Sequence, residues 1–398
     1  MRKILSILAA GLCAAACIYP FTPDLEDAPE GVLTVDGNIS IGDVSTVRLG
    51  TLISMRGDYY SDNDMAIRDL RNAKVWVEDD AGGTYPGVPE NSFDPMYADF
   101  YMAFNPVFSI NTENAPADRS YRLCVEALGG FYTSDWGKPS SAPVIRSIDF
   151  LCAEEDREVT VAVSVDGGDD GTGYLQLSFD ETWEFHAEWP LSYIVDPETL
   201  EITPGYIPAY ENYWCWASSD NQRIYPVDYS GMDGGLTAWP LWRFARTDSR
   251  NHRRYCIRVK AKSLTQESYR FLKALEDNTT GGDNLFTPNP GEIAGNLRCE
   301  SHPERTVLGY VTFGRVSWKR AFLDNRYQKY RHLNNRDLLF LVEKDYRDFY
   351  NRGYLPLVEN TNENRDPELE GPYGWGAPRC YDCVAAGGTK TKPDFWDE

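Results

Sequence analysis

The chain is poor in the side chains that most enzymes use to move protons. Histidine occurs four times in 398 residues, as His186, His252, His302 and His332. No G-x-S-x-G elbow, no phosphate-cradling P-loop and no H-E-x-x-H pair is present. The residues therefore give no support to nucleophilic catalysis, nucleotide hydrolysis or metalloprotease chemistry. Positive charge is short as well: 39 Lys and Arg stand against 61 Asp and Glu, a formal net charge of −22. So acidic a body repels nucleic acid, and no nucleic-acid partner is expected. Most of the acidity is explained by solubility on a crowded surface. Beyond the amino terminus no apolar run approaches the ~20 residues of a membrane-spanning helix, and no internal repeat is visible.

What is present begins with an export signal. Arg2-Lys3 is a short positive head, and Ile4 to Ala16 is an uncharged run of small and apolar residues. That is the pattern of a secretory signal peptide over residues 1–16. Ala14-Ala15-Ala16 directly before Cys17 resembles a lipobox, the signature of bacterial lipoproteins, which implies cleavage before Cys17 and a lipidated amino terminus at that residue. Cys13 is the rival anchor, but Leu12 stands in front of it, where a small residue is wanted. Each buried acyl methylene contributes ~0.8 kcal/mol, so several chains hold a protein to a membrane almost permanently. Residues 17–30, with Pro20, Pro23, Asp24, Glu26 and Asp27, read as a tether. Loss of Arg2 and Lys3 with the signal takes the mature charge from −22 to −24.

Hydrophobic content of 42%, with 13% aromatic, is ample for packed cores, and the length allows two or three domains. Residues 31–140 read as a small immunoglobulin-like β-sandwich. Leu33, Val35, Ile39 and Ile41 alternate, as do Lys74 to Glu78 and Tyr121 to Val125, with turn residues between. Lys138 to Pro143 is the natural linker. Residues 141–398 read as a larger β-rich domain with one or two helices, so the fold class is mainly β. Asp166 to Gly173 alternates acids with glycines like a calcium loop. Leu177 stands where an EF-hand needs Glu, so a hairpin turn is the better reading.

Tyr174 to Trp189 is the longest strand signal. Leu175, Leu177, Phe179, Trp183, Phe185, Ala187 and Trp189 share one face, which only Glu181 interrupts. Thr182, Glu184, His186 and Glu188 occupy the other, read as a solvated face rather than a glycosidase pair. Pro190 to Asn251 reads as aromatic loops, with Trp214-Cys-Trp216 and Trp239-Pro-Leu-Trp242. Arg253 to Leu264 alternates again, Arg254, Cys256, Arg258, Lys260 and Lys262 facing outward. A helix follows near 265–277, with Thr265 as N-cap, a Leu264–Tyr269 staple and a buried stripe of Phe271, Leu272 and Leu275. A second helix is expected over Arg336 to Arg352.

Setting aside Cys13 and Cys17, seven cysteines remain: Cys124, Cys152, Cys215, Cys256, Cys299, Cys380 and Cys383. Export makes disulfides the default, and an odd count leaves one thiol over. Cys380-Tyr-Asp-Cys383 lacks the following helix of a redox motif. Zinc ligation with Cys299 and His302 is open on local spacing. The favoured reading is a disulfide-stapled tail, with Cys215, Cys299, Cys380 and Cys383 as candidates. A basic segment stands out in the acidic chain: Arg315, Lys319, Arg320, Arg326, Lys329, Arg331 and Arg336, with Asp324 as the only acid between its ends. It suits orienting a charged partner.

The tail, Cys380-Tyr-Asp-Cys383, Gly387-Gly-Thr389 and Lys392-Pro-Asp-Phe-Trp396, resembles the Bacteroidota lipoproteins of domain of unknown function family 4249. Val35-Asp-Gly37, Tyr255 to Phe271, Pro290 to Asn296, Leu308-Gly-Tyr310 and Phe313 agree in the same order. The resemblance implies an outer-membrane lipoprotein, often encoded near TonB-dependent transporters, with no catalytic residue and no cofactor assigned. The expectation is an accessory or binding component of nutrient uptake, lipid-anchored and facing the cell exterior. A glycan-binding or glycan-processing lipoprotein and a structural envelope protein are the alternatives.

Overall fold

Period-two alternation builds most of this chain into strands. The computed structural model describes residues 32–51, 69–90, 106–153, 157–167, 173–205, 211–232, 234–280, 295–324 and 337–397. Cys17, Arg326, Lys329, Arg331 and Arg336 lie outside the described residues. The first strands are β1 (Leu33–Ile41), β2 (Val44–Thr51), β3 (Lys74–Asp79), β4 (Thr84–Pro89), β5 (Val107–Asn111), β6 (Tyr121–Ala127) and β7 (Gly130–Ser134). Next come β8 (Val144–Leu151), β9 (Glu158–Asp166), β10 (Tyr174–His186), β11 (Tyr193–Val195), β12 (Ile202–Pro204), β13 (Trp214–Asp228), β14 (Leu236–Ala245) and β15 (Arg254–Ser263). Helix α1 (Gln266–Thr280) precedes β16 (Leu297–Cys299) and the 18-residue β17 (Val307–Asp324). The remainder holds β18 (Leu339–Phe340), α2 (Tyr346–Asn351), β19 (Leu355–Glu359), β20 (Tyr373–Gly376) and α3 (Pro378–Tyr381). The fold is mainly β.

Twelve strands share one sheet in the order β13-β10-β15-β17-β1-β2-β5-β4-β3-β6-β7-β16. One core lies against β1 to β7, where Leu33, Ile39, Val47, Leu49, Phe108, Ile110, Tyr121 and Leu123 are fully buried or nearly so. Cys299 of β16 and Val311 and Phe313 of β17 complete that core, so it is closed by residues far beyond position 140. The second core lies between β13-β10-β15 and a three-stranded sheet, β14-β9-β8. Small clusters around Trp189, Leu357 and Cys380, and around Tyr346 and Trp375, gather the carboxy-terminal segment.

β17 serves both cores. Its first half, Val307 to Arg315, pairs in parallel with β1, and its second half runs antiparallel to β15. The parallel pairing demands a glycine: a Cβ at Gly309, whose φ is +121°, would stand 1.9 Å from the Val35 carbonyl oxygen. Lys262 pins the seam between the halves. Its Nζ donates to Asn38 Oδ1 on β1 and, at 2.9 Å, to Thr312 Oγ1 on β17. Complete burial pushes this amine well below the usual lysine range.

Several expectations are corrected. The strands on either side of Asp166 to Gly173 belong to different sheets, because β9 pairs with β8 and β14 while β10 pairs with β13 and β15. That segment therefore crosses between layers and closes no hairpin; residues 168–172 themselves lie outside the description. Pro190 to Asn251 contains four strands in place of aromatic loops, and Trp239 and Trp242 pack against the second core. Over 336–352 the chain gives β18, a 3-10 turn and only then α2, because Leu338 and Leu341 enter two different clusters. Helix α1 has the expected cap, with Thr265 Oγ1 accepting from Ser268 N–H at 3.2 Å. Its stripe is shallower than expected: Phe271 stacks on Tyr310 at 4.5 Å, but Leu275 is 46% exposed. The helix packs against β10 and β13 and covers no deep core.

Candidate functional site

The face of β13-β10-β15-β17 turned away from the second core is the part of the fold where cations, aromatics and histidines converge. Strand pairing sets it out in rows. Trp216, Glu184, Arg254 and Asp324 form one; Ser218, Thr182, Cys256 and Phe322 the next; then Asp220, Asp180, Arg258 and Arg320; then Ser178, Lys260 and Trp318. Thr182, Glu184 and Cys256 are buried, so this face is not solvated as the alternation alone suggests. The carboxy-terminal tail covers it as a strap.

Three contacts fix the strap. Cys383 is disulfide-bonded to Cys215 of β13, 168 residues earlier. Trp216 and Thr389 exchange both backbone hydrogen bonds, at 2.8 and 2.9 Å. At the far end Trp396 is 4% exposed and meets Phe322 edge-on at 5.9 Å, while Arg254 donates to the Trp396 carbonyl oxygen. Arg254 also lies 4.0 Å from the Phe322 ring centre, and Arg320 lies 3.9 Å from that of Phe395. The strap thus runs from β13 across to β17, held by one covalent bond and by cation–aromatic contacts of Arg320 with Phe395 and, at 5.8 Å, of Arg254 with Trp396.

The four candidate cysteines separate. Cys215 and Cys383 are joined; Cys299 and Cys380 are thiols buried in different clusters, and Cys124, Cys152 and Cys256 form no disulfide. Cys299 and Cys380 therefore converge neither on each other nor on a shared ion. Burial raises the Cys380 thiol pKa, with Glu188 adding to the effect, which suppresses the thiolate that redox chemistry requires.

The basic segment is divided by the period of the strand. Arg315 and Lys319 fall on one face of β17, where Lys319 Nζ donates to the Arg146 carbonyl oxygen of β8 at 2.6 Å. Arg320 falls on the other face, beside Trp318, its guanidinium between the Phe395 and Trp318 rings. Trp318 is 57% exposed. Sequence reasoning did not single it out; the signal was the alternation Trp318-x-Arg320-x-Phe322, aromatic and cationic residues on one face of a strand.

At the opposite end of the face, four rings form a rigid wall. His186 and His252 stack at 4.2 Å, Tyr213 stacks on His186 at 5.2 Å, and Trp214 meets His186 edge-on. His252 Nδ1 accepts from the His186 backbone N–H at 3.4 Å. Burial, then the neighbouring His186, lowers the His252 pKa to about 4. Arg253 pairs with Glu184 and covers the Trp214 ring at 5.3 Å. Behind the sheet Glu181, the residue that interrupts the apolar face, is buried against Arg250 and Tyr255. Both clusters consume their own charges internally, which suits a framework better than a reacting centre.

No curated protein matches the chain. Residues 18–320 match the family described as domain of unknown function (DUF4249), and the chain belongs to that family.

Proposed function

We propose that this protein is an outer-membrane lipoprotein, anchored through Cys17 and facing the cell exterior, that acts as an accessory or binding component of a TonB-dependent nutrient-uptake system. The observation that carries the reading is the cationic side of β17. Arg315 and Lys319 share one face of a strand that joins the two cores, and the chain continues from it into Arg326, Lys329, Arg331 and Arg336. In a chain of net charge −22 this reversal of sign marks an orienting surface for an acidic partner. The anchor keeps the body in the membrane plane, where an integral transporter is met at high effective concentration and a modest interface suffices. The framework character of the buried charge clusters fits a binding role.

The test is affinity purification of tagged protein from mild-detergent extracts of its own envelope, beside an Arg315→Glu/Lys319→Glu variant. A TonB-dependent transporter is expected as the main partner from wild type, with recovery reduced about tenfold or more in the variant. Wild-type protein that elutes alone refutes the reading.

A further inference from the structure

The strapped face carries aromatic and cationic residues that lie outside the docking surface proposed above. Trp318 lies in mid-strand in β17, yet more than half of it is exposed. Its cross-strand partner is Lys260, and the next pair on the same face sets Arg258 opposite Arg320. Like charges directly opposite one another destabilise a sheet. Asp180 neutralises Arg258, with Oδ2 2.8 Å from the guanidinium. Lys260 forms no ion pair among the described residues. Arg320 is clamped between Phe395 and Trp318, so its side chain is ordered before any ligand arrives.

We propose that Trp318, Lys260 and Arg320 form a binding site for a negatively charged sugar ring. The apolar C–H face of a pyranose packs on the open indole and removes apolar surface from water. A carboxylate or phosphate on the same ring meets Lys260 and Arg320, giving charge-assisted hydrogen bonds. A sugar suits a flat, open platform because its edge hydroxyls stay hydrated while one face is covered. Trp318 supplies the stacking surface, Lys260 a mobile point charge and Arg320 a fixed planar fork. The inference rests on the reading of the protein as a binding component, but not on which transporter it meets.

The anionic ring has two possible sources, a soluble acidic polysaccharide or the head-group sugars of a surface glycolipid. Purified full-length protein in detergent is titrated calorimetrically with oligogalacturonate, with neutral maltohexaose and with inorganic phosphate alone. In parallel it is mixed with phosphatidylcholine vesicles with and without lipopolysaccharide. Saturable binding to one acidic source, none to maltohexaose, and weakening with added salt are expected. Trp318→Ala and Lys260→Gln should each lower that affinity at least about tenfold while keeping the wild-type melting temperature. Equal binding of neutral and acidic sugars, no saturable binding to either acidic source, or unchanged affinity in both variants overturns the proposal. Transporter recovery measured on Trp318→Ala separates the two readings. Lost sugar binding with the transporter retained supports a distinct ligand site, and an inert platform in a protein that still captures the transporter removes this inference alone.

Discussion

Replacing Glu181 by Gln should destabilise the protein by about 3 kcal/mol, because Glu181 is a charge the fold buries and then neutralises. The residue is 3% exposed and sits among Leu175, Leu177, Phe179 and Trp183 on the inward face of β10. Its carboxylate accepts from Arg250 Nε at 3.0 Å, from the Arg250 fork a second time, and from the Tyr255 hydroxyl at 2.8 Å. Burial, with Glu181 beside it, pushes the Tyr255 hydroxyl well above its ordinary range, so it remains a donor at working pH. Arg250 also reaches Asp248 at 3.1 Å and lies 4.4 Å from the Trp183 ring centre. Opposite charges about 4 Å apart attract by ~4 kcal/mol at an effective dielectric of 20, and removing one partner of a buried pair costs ~3–5 kcal/mol. Asp248 retains part of the Arg250 charge, which places Glu181→Gln at the lower end. Tyr255→Phe removes one hydrogen bond to a charged group and should cost ~1.5–3 kcal/mol. Glu181→Leu combined with Arg250→Met removes both buried charges, leaves only the partly exposed Asp248 carboxylate without its partner, and should cost less than the two single changes added together. Urea unfolding followed by circular dichroism reads all five proteins. Glu181→Gln within about 0.5 kcal/mol of wild type, or strictly additive single and double changes, would refute the argument.

Three further outcomes follow from the geometry and the export signal. Mass spectrometry of unreduced protein should find Cys215 linked to Cys383 and Cys380 as a free thiol; Cys383→Ser should lower stability by ~2–4 kcal/mol, and a Cys380–Cys383 link would contradict the arrangement. His252 binds its proton near pH 4 when folded and near 6.5 when unfolded, so the unfolded state holds more protons between those values. Stability is then full above about pH 6.5 and falls as pH drops towards 4, by ~1–2 kcal/mol once partial exposure is discounted, and His252→Gln should flatten that slope. Cys17→Ala should release the protein from the membrane fraction or leave an unprocessed precursor; a variant that still fractionates as mature membrane protein would move the anchor to Cys13.

What the sequence made legible were the local patterns. Leu33 to Ile41, Tyr174 to His186 and Arg254 to Ser263 announce themselves by alternation, and Thr265 announces its helix as a cap. What it hid was everything set by partners distant along the chain. Nothing near Leu33 signals a parallel partner at Val307, and nothing near Trp216 or Phe322 signals that Thr389 and Trp396 will meet them. A polar outward face reads as solvated whether water or a strap lies over it, because alternation reports two faces and not what each meets. The basic segment was legible as composition, but strand period sends Arg315 and Lys319 to one side and Arg320 to the other. Arg336 to Arg352 misled because short apolar clusters satisfy a helical spacing equally well when they fold as a strand and a turn.

The strap itself yields a sharper test of the candidate surface, since the family match ends at residue 320 and the covering segment lies wholly beyond it. Cys256 is 2% exposed at the centre of the outward face, in the same row as Thr182 and Phe322. The tail pairs with Trp216 at one side of that face and packs Trp396 on Phe322 at the other, so the tail is the candidate cover of this thiol. Deleting residues 389–398 removes the Thr389 bridge, the Arg254 contact with the Trp396 carbonyl and both tail aromatics, while the Cys215–Cys383 bond remains. Burying Trp396 withdraws ~150–250 Å² from water, worth ~4–6 kcal/mol before the tail's lost freedom is counted. The cost of ordering the tail opposes this burial and the tail's hydrogen bonds together, so the docked tail adds little net stability and the truncated protein should stay folded. Iodoacetamide labelling with peptide mass spectrometry then discriminates. Cys256 should react in the truncated protein and stay protected in wild type, while Cys299, in the other core, and the buried Cys124 should be protected in both. Protection of Cys256 that survives the deletion would mean that the sheet's own side chains shield it. The strap would then be a surface ornament and not the cover that gives this face its shape.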